Sequence, residues 1–157
     1  IDWKANHFGF SSPGGKLTSI EGRIYFNEKR IAKSKVEVTV RIKNLLTGHD
    51  KFDKNLKGEK FFNLQEFPIA KFKSGKIKVR GKNSAEIYGD LTIMGVTKQV
   101  KLDVKLNKIG FNPITKRDTI GFSGSAVINR SDFGMNYGIP AISNEVVLKI
   151  EAEANKI

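Results

Sequence analysis

Cysteine is absent from this chain of 157 residues. A disulfide framework, a thiolate metal site and a thiol nucleophile are therefore all excluded. Imidazole is nearly as scarce, with His7 and His49 as the two histidines on separate segments. A structural zinc site needs about four closely held ligands, so no metal site is expected. No apolar run approaches the roughly 18 residues of a membrane-spanning helix. Catalytic signatures are missing too: there is no G-x-S-x-G, no glycine-rich phosphate loop, and no serine at a recognised spacing from either histidine. No catalytic residue is assigned, and an enzyme is not expected. The chain opens at Ile1 rather than methionine. The expectation is a mature product whose export signal has been removed, periplasmic or secreted.

What the chain has in excess is positive charge. Lysine and arginine number 28 against 16 aspartates and glutamates, a formal net charge of +12. Such a surplus attracts nucleic acid, anionic membrane surfaces and acidic polymers. The lysines are scattered through almost every segment, and no block reaches five or six in a row. That distribution favours a generally basic surface over a dedicated polyanion site.

The dominant pattern is alternation. In KVEVTVRIK, Val36, Val38, Val40 and Ile42 share one face, and Lys35, Glu37, Thr39, Arg41 and Lys43 share the other. This is a strand with one apolar and one wet face. The same period runs through Ile20, Gly22, Ile24 and Phe26. It recurs in Val100, Leu102, Val104 and Leu106, and in Val146, Leu148, Ile150, Ala152 and Ala154. Shorter versions occur at Phe8 to Phe10, Ala70 to Phe72, Ile77 to Val79, Ile87 to Ile93 and Phe122 to Ile128. Turn formers separate the runs: SPGG at 12–15, NEK at 27–29, SG at 74–75, KNS at 82–84 and NP at 112–113. Short connections favour antiparallel neighbours. The chain therefore reads as one all-β domain over residues 1–157, an antiparallel up-and-down barrel or a sandwich of about eight strands.

One segment breaks the rhythm. From His49 to Phe67 the sequence is too polar and irregular for a strand, yet it holds Phe52, Leu56, Phe61, Phe62, Leu64 and Phe67. Several wet phenylalanines are costly, so the segment should fold back onto apolar surface as a short helical or loop lid over one end. Either it gates a site, or it is a plug that merely completes the core.

These landmarks resemble the YceI-like family, lipocalin-like bacterial polyisoprenoid-binding proteins, over nearly the whole chain. Phe8-Gly9-Phe10-Ser11 is similar to the family's first strand and Ile20-Glu21-Gly22-Arg23 to its second. Thr47-Gly48, Asp53, Leu56 and Phe61-Phe62 follow in family order. Phe67-Pro68-Ile69 with Phe72-Lys73-Ser74, the stretch Gly89 to Lys98, and Asn129-Arg130-Ser131-Asp132-Phe133-Gly134-Met135 resemble the remaining motifs. The chain departs from the pattern in three places. Ala5 and Asn6 stand where the family has an early histidine, Phe52 replaces an arginine, and Asn55 replaces a histidine. The resemblance implies a barrel holding a long-chain lipid, and these departures imply a less polar or amide-like head group.

The candidate ligand-binding residues follow from both readings. Inward strand positions are Phe8, Phe10, Ile20, Ile24, Val38, Val40, Leu91, Ile93, Ala126 and Ile128, with Phe72 closing over them. Leu45, Leu56, Phe61, Phe62 and Phe67 belong to the lid and its approach. Gly22 and Ala126 are small where a chain filling its own interior would place leucine or isoleucine. Asp53, Asn55, Arg130 and Asp132 are candidates for a head group at the mouth. Arg130 and Asp132 equally suit a structural clasp, with Asp132 accepting backbone N–H bonds and Arg130 paired to a carboxylate. Phe133 and Met135 are expected as apolar contacts. No cofactor is expected beyond a bound lipid. The expected partners are that long-chain lipid and, in passing, an anionic membrane surface. Nucleic acid is not expected, and a homodimer is allowed. The alternative is a basic-surface polyanion or nucleic-acid binder with a filled barrel core.

Overall fold

The alternating segments become strands, as a period of two requires when one face is buried. The computed structural model describes residues 1–157. Its strands are β1 (Asp2–Lys4), β2 (Gly14–Leu17), β3 (Ile20–Tyr25), β4 (Lys35–Arg41) and β5 (Leu45–Leu46). After helix α1 (Asp50–Lys57) come β6 (Ile69–Val79), β7 (Ser84–Ile93), β8 (Val96–Asn112), β9 (Arg117–Asn129) and β10 (Glu145–Asn155). They make one antiparallel sheet in the order β3-β4-β6-β7-β8-β9-β10-β1-β2-β5.

The ends of that order are joined through the chain itself. β2 and β3 are halves of one run broken at Thr18 and Ser19, and β4 and β5 are halves of another broken by a 3₁₀ turn at Ile42–Asn44. Two hydrogen bonds carry the ladder across the break. The Arg41 N–H donates to the Ser19 carbonyl at 3.1 Å, and the Thr18 hydroxyl to the Asn44 carbonyl at 3.3 Å. Merging the two broken pairs leaves eight staves, the number sequence periodicity suggests. The sheet curls round without sealing. β1, only three residues long, joins β10 to β2. Beyond it no pairing links the second half of β10 to β3, so a seam runs down one side.

The two ends differ. The connections at residues 5–13, 42–68, 94–95 and 130–144 gather at one end, and those at 26–34, 80–83 and 113–116 at the other. Only 14 of the 157 residues are buried, and the three least exposed large side chains are Phe133, Ile42 and Leu45. All three belong to the first end, so the packed core is there and not along the barrel axis.

The 49–67 excursion is what closes that end. His49 caps α1, its Nδ1 accepting the Phe52 N–H at 3.3 Å. The phenylalanines of the excursion then anchor it to separate elements. Phe52 sits edge-on to Trp3 at 6.3 Å and Phe61 edge-on to Tyr137 at 5.6 Å. Phe67 packs beneath the β7–β8 turn at Gly95, and Phe62 and Leu64 pack on the cluster of Val40, Ile42 and Ala70. Of the two roles open to this segment, the geometry is that of the plug.

Two sequence expectations are corrected here. Residues 8–10 form no strand: they are a turn closed by the bridge between His7 and Ser11. Phe8 has φ 54° and is 55 % exposed, and Phe10 is 91 % exposed. The Asn6 side chain accepts the Gly9 N–H at 2.8 Å, and this local turn chemistry outweighs three residues of alternation. The second correction concerns Gly22. It faces no empty interior, because a Cβ there would lie 2.7 Å from the Glu37 carbonyl oxygen on β4. Its smallness permits close strand approach.

Candidate functional site

The inward faces of the strands enclose a void of about 410 Å³. That volume falls within the ~300–1,000 Å³ of small-molecule sites. Of the 33 residues lining it, 24 are hydrophobic, so the chemistry on offer is transfer of an apolar chain out of water. The wall is continuous from stave to stave: Val36, Val38 and Val40 of β4, then Ala70, Phe72, Ile77 and Val79 of β6, then Ala85, Ile87 and Leu91 of β7. Val100, Leu102, Val104 and Leu106 of β8 follow, then Phe122, Gly124 and Ile128 of β9, and Leu148, Ile150 and Ala152 of β10. Ile20 and Ile24 of β3 complete it.

Two local devices keep this wall apolar and hollow. On β6 the register shifts between Ser74 and Lys76, so even-numbered Ala70 and Phe72 and odd-numbered Ile77 and Val79 all point inward. A bulge adds one residue and restores the face. At Gly89 a Cβ would fall 2.6 Å from the Phe72 ring, so only glycine lets that ring lie flat across β7. Gly124 lines the void, and a Cβ there would sit in ordinary van der Waals contact with the Asp103 carbonyl oxygen, Ile150 and Val104 at 3.6–3.7 Å, so the position takes a side chain without a clash.

The void opens at the end away from the plug. Apart from Lys71 on β6, its polar lining gathers there, with Ser34, Lys82 and Asn83 on the two turns that flank the mouth and Ser84 at the start of β7. Glu151 and Glu153 of β10 also line it, although they alternate with the inward Ile150 and Ala152. The void therefore reaches past the free edge of β10 into the seam. The mouth is braced: Asn27 donates its N–H to the Ser34 hydroxyl at 3.0 Å, and Phe26 meets Phe122 edge-on at 6.3 Å.

Of the residues singled out from sequence, Ile20, Ile24, Val38, Val40, Phe72, Leu91 and Ile128 line the void together. The others are placed elsewhere. Phe8 and Phe10 are on the exposed turn, Ile93 packs on the closed-end cluster, and Ala126 is buried between the lining residues Gly124 and Ile128 without itself lining the void. Leu45, Leu56, Phe61, Phe62, Phe67, Phe133 and Met135 pack in or around the closed end. The head-group candidates are corrected likewise. Asn55 is exposed on α1, and neither Asp53 nor Arg130 reaches the void.

What Asp53 and Arg130 do is tie the plug. Asp53 accepts the Thr47 N–H at 2.7 Å and the Thr47 hydroxyl as well. These bonds, the hydroxyl's foremost, hold its carboxyl below the usual carboxylate range. Arg130 is 5 % exposed and pairs with no carboxylate. Its guanidinium donates to three backbone carbonyls, those of Ser143, Met135 and Ile142, each at 2.9 Å. Burial pushes its pKa down from the ordinary arginine value. Asp132 is exposed, and the turn is completed by Gly134 at φ 84°, a conformation that costs glycine no strain. The Asn129–Met135 stretch is thus a clasp made by arginine and backbone.

The lining that sequence reading left out is spread over every long strand, and on β8 and β10 it follows an alternation that carried the signal. Ile31 at the mouth carried none, since it flanks a turn, whereas Phe26 ends the alternation of Ile20, Gly22 and Ile24.

Fold and void define a lipocalin-like barrel with a ligand-sized apolar interior open at one end. The chain belongs to the YceI-like domain family, whose profile matches residues 1–154. It is 35% identical to a UPF0312 protein of Pseudomonas aeruginosa over 153 residues, 98% of this chain and 79% of the relative. The crystal structure of the Campylobacter jejuni YCEI protein superposes with a TM-score of 0.85 at 27% identity, covering 97% of this chain and 90% of that one. A polyisoprenoid binding domain from Saccharophagus degradans shares the fold at a TM-score of 0.71 and 12% identity, covering 99% and 92%.

Proposed function

We propose that this protein binds one long-chain amphipathic lipid, its tail in the void and its polar end at the open mouth. The observation that carries the reading is the continuous apolar wall around about 410 Å³ of unfilled space. A barrel that only had to be stable would close that space with side chains. Each methylene taken from water contributes about 0.8 kcal/mol, so ten contribute roughly 8 kcal/mol before the costs of association. Micromolar affinity then needs few polar contacts. The fold shared with a polyisoprenoid binding domain supports the same reading. Polyisoprenoids, isoprenoid quinones, fatty acids and fatty amides all present such a tail.

The head group would meet Ser34, Lys82, Asn83 and Ser84 on one side and Glu151 and Glu153 on the other. Donors and acceptors of both signs suit a polar group without strong net charge. Binding, rather than catalysis, is what a wall with no nucleophile–base pair supports.

The test is mass spectrometry of an organic extract of the native, purified protein. A stoichiometric long-chain species is expected. A clean extract, together with no uptake of a fluorescent prenyl or fatty probe, would overturn the proposal.

A further inference from the structure

The strongest feature outside the void is the end at which it opens. The turns there, at 26–34, 80–83 and 113–116, carry Lys29, Arg30, Lys33, Arg80, Lys82 and Lys116 against the single acid Glu28. One of these charges is partly answered, since Arg80 is ion-paired to Glu86. The adjoining strand ends add Lys108, Arg117 and Lys156 together with Asp118 and Glu153. At the closed end, by contrast, six basic residues (Lys43, Lys51, Lys54, Lys57, Lys60 and Arg130) stand against five acidic ones (Asp50, Asp53, Glu59, Glu66 and Asp132). The basic surplus of the connections is therefore concentrated round the mouth.

The β8–β9 hairpin adds a second, independent observation. β7 begins at Ser84 opposite Lys105, but β8 runs on to Asn112, so the hairpin projects beyond its neighbour. Its tip leaves Phe111 62 % and Ile114 90 % exposed. The face these residues continue is that of the void. Leu106 pairs with Phe122, both lining residues, and the register then shifts before Lys108 so that Ile109 pairs with Ile120. Phe122 and Ile120 lie on one face of β9, so Leu106 and Ile109 share that face on β8, with Phe111 two residues further out. Across β9, Ala152 and Ala154 pair with Phe122 and Ile120. Without the bulge the face would invert and the apolar strip would end at the rim. With it, an apolar ramp climbs from the void to the hairpin tip.

Apolar side chains beside lysines and arginines are the composition of an element that seats at a bilayer interface, the rings below the head groups and the cations among the lipid phosphates. We propose that the open end docks on an anionic lipid bilayer, with Phe111 and Ile114 inserted and the ramp leading a lipid tail between membrane and void. The docking rests on the lipid-binding reading for its purpose, but its test does not.

The native chain provides an internal reference, because its single tryptophan, Trp3, lies in β1 and packs on Phe52 at the closed end. Binding is read by sedimentation with phosphatidylcholine vesicles with and without phosphatidylglycerol. Depth is read by quenching with brominated lipid. The protein should sediment with the anionic vesicles only, and the quencher should reach a tryptophan in Ile114→Trp while leaving Trp3 of the unaltered chain bright. The combined changes Lys29→Glu, Arg30→Glu and Lys116→Glu should weaken vesicle binding by at least about tenfold. The same charge change at Lys43, Lys51 and Lys54 should move it by less than about twofold. Phe111→Ser with Ile114→Ser should abolish the part of the binding that survives high salt. Equal losses from both sets of reversals would overturn the proposal, leaving bulk charge as the cause. Quenching of Trp3 as strong as that at position 114 would overturn it as well. So would tighter binding of a single-stranded oligonucleotide than of the vesicles through the same three basic residues. A protein that yields a lipid on extraction but ignores vesicles overturns the docking alone. One that docks but never carries a lipid overturns the lipid-binding reading alone.

Discussion

At the closed end of this barrel the aromatic side chains are held by the protein. Phe52 meets Trp3, Phe61 meets Tyr137, and Phe133 is 2 % exposed. Polar groups there are consumed in the same way, with Arg130 donating to three carbonyls and Asp53 accepting from Thr47. At the open end, Phe26 and Phe122 frame a space that no side chain fills, and Ser34, Lys82, Asn83 and Ser84 face into it. The partners of such residues separate two roles. An aromatic or charged side chain whose partners are all internal is a fastening, and one with a free side turned to a void is available to a ligand.

The comparison is broken most severely at Arg130. Arg130→Met should leave three carbonyls without their donor and cost about 3 kcal/mol. Urea unfolding checks this, and at this chain length the thermal midpoint should fall by roughly 6–12 °C. Lipid affinity of the molecules that remain folded should be unchanged. An affinity loss without a stability loss would move Arg130 into the binding site.

The reverse pattern is expected at Gly124. Gly124→Leu meets its neighbours at ordinary contact distance and extends into the void, so the thermal midpoint should hold or rise. Probe affinity should drop about tenfold, equivalent to about 1.4 kcal/mol. A fluorescent prenyl titration beside a melting curve gives both readouts.

A smaller effect separates fastening from site by pH. The folded-state pKa of Asp53 is depressed, so its contribution is fully present above the unfolded value of about 3.9 and is lost as pH falls through the folded one. Asp53→Asn should therefore be less stable than the native chain at neutral pH, and the gap should narrow on acidification below about pH 4. Urea midpoints at several pH values would show a constant gap if the carboxylate's ionisation were irrelevant.

The smallest effect is expected at Asn55, exposed on α1 and distant from the mouth. Asn55→Ala should change stability by less than about 0.5 kcal/mol and probe affinity hardly at all. A marked affinity loss would return the head group to the closed end.

Much of the barrel was legible because alternation over β4, β8 and β10 leaves one apolar face that must turn inward. Seven of the inward residues named from sequence do line the void, namely Ile20, Ile24, Val38, Val40, Phe72, Leu91 and Ile128. The turn at Phe8–Phe10 was misread because three residues are too few for a period to outweigh an Asn6–Gly9 turn. The head-group candidates lie away from the void for a different reason. Asp53, Asn55 and Arg130 have the right chemistry for a mouth, and nothing local says which end of the barrel their segment covers.

The local pattern of residues alone specifies an all-β, antiparallel chain, because period-two alternation is stable only when one face of each strand is removed from water. It also determined that the excursion at 49–67 must pack, because its phenylalanines could not stay wet. The tertiary structure alone decided that the excursion closes one end as a plug and that the void opens at the other. It also decided that bulges on β6 and β8 keep the apolar face turned inward past Ser74 and carry it beyond Leu106. Those outcomes depend on which surfaces meet across the barrel, through contacts between residues far apart in the chain, and no local pattern encodes them.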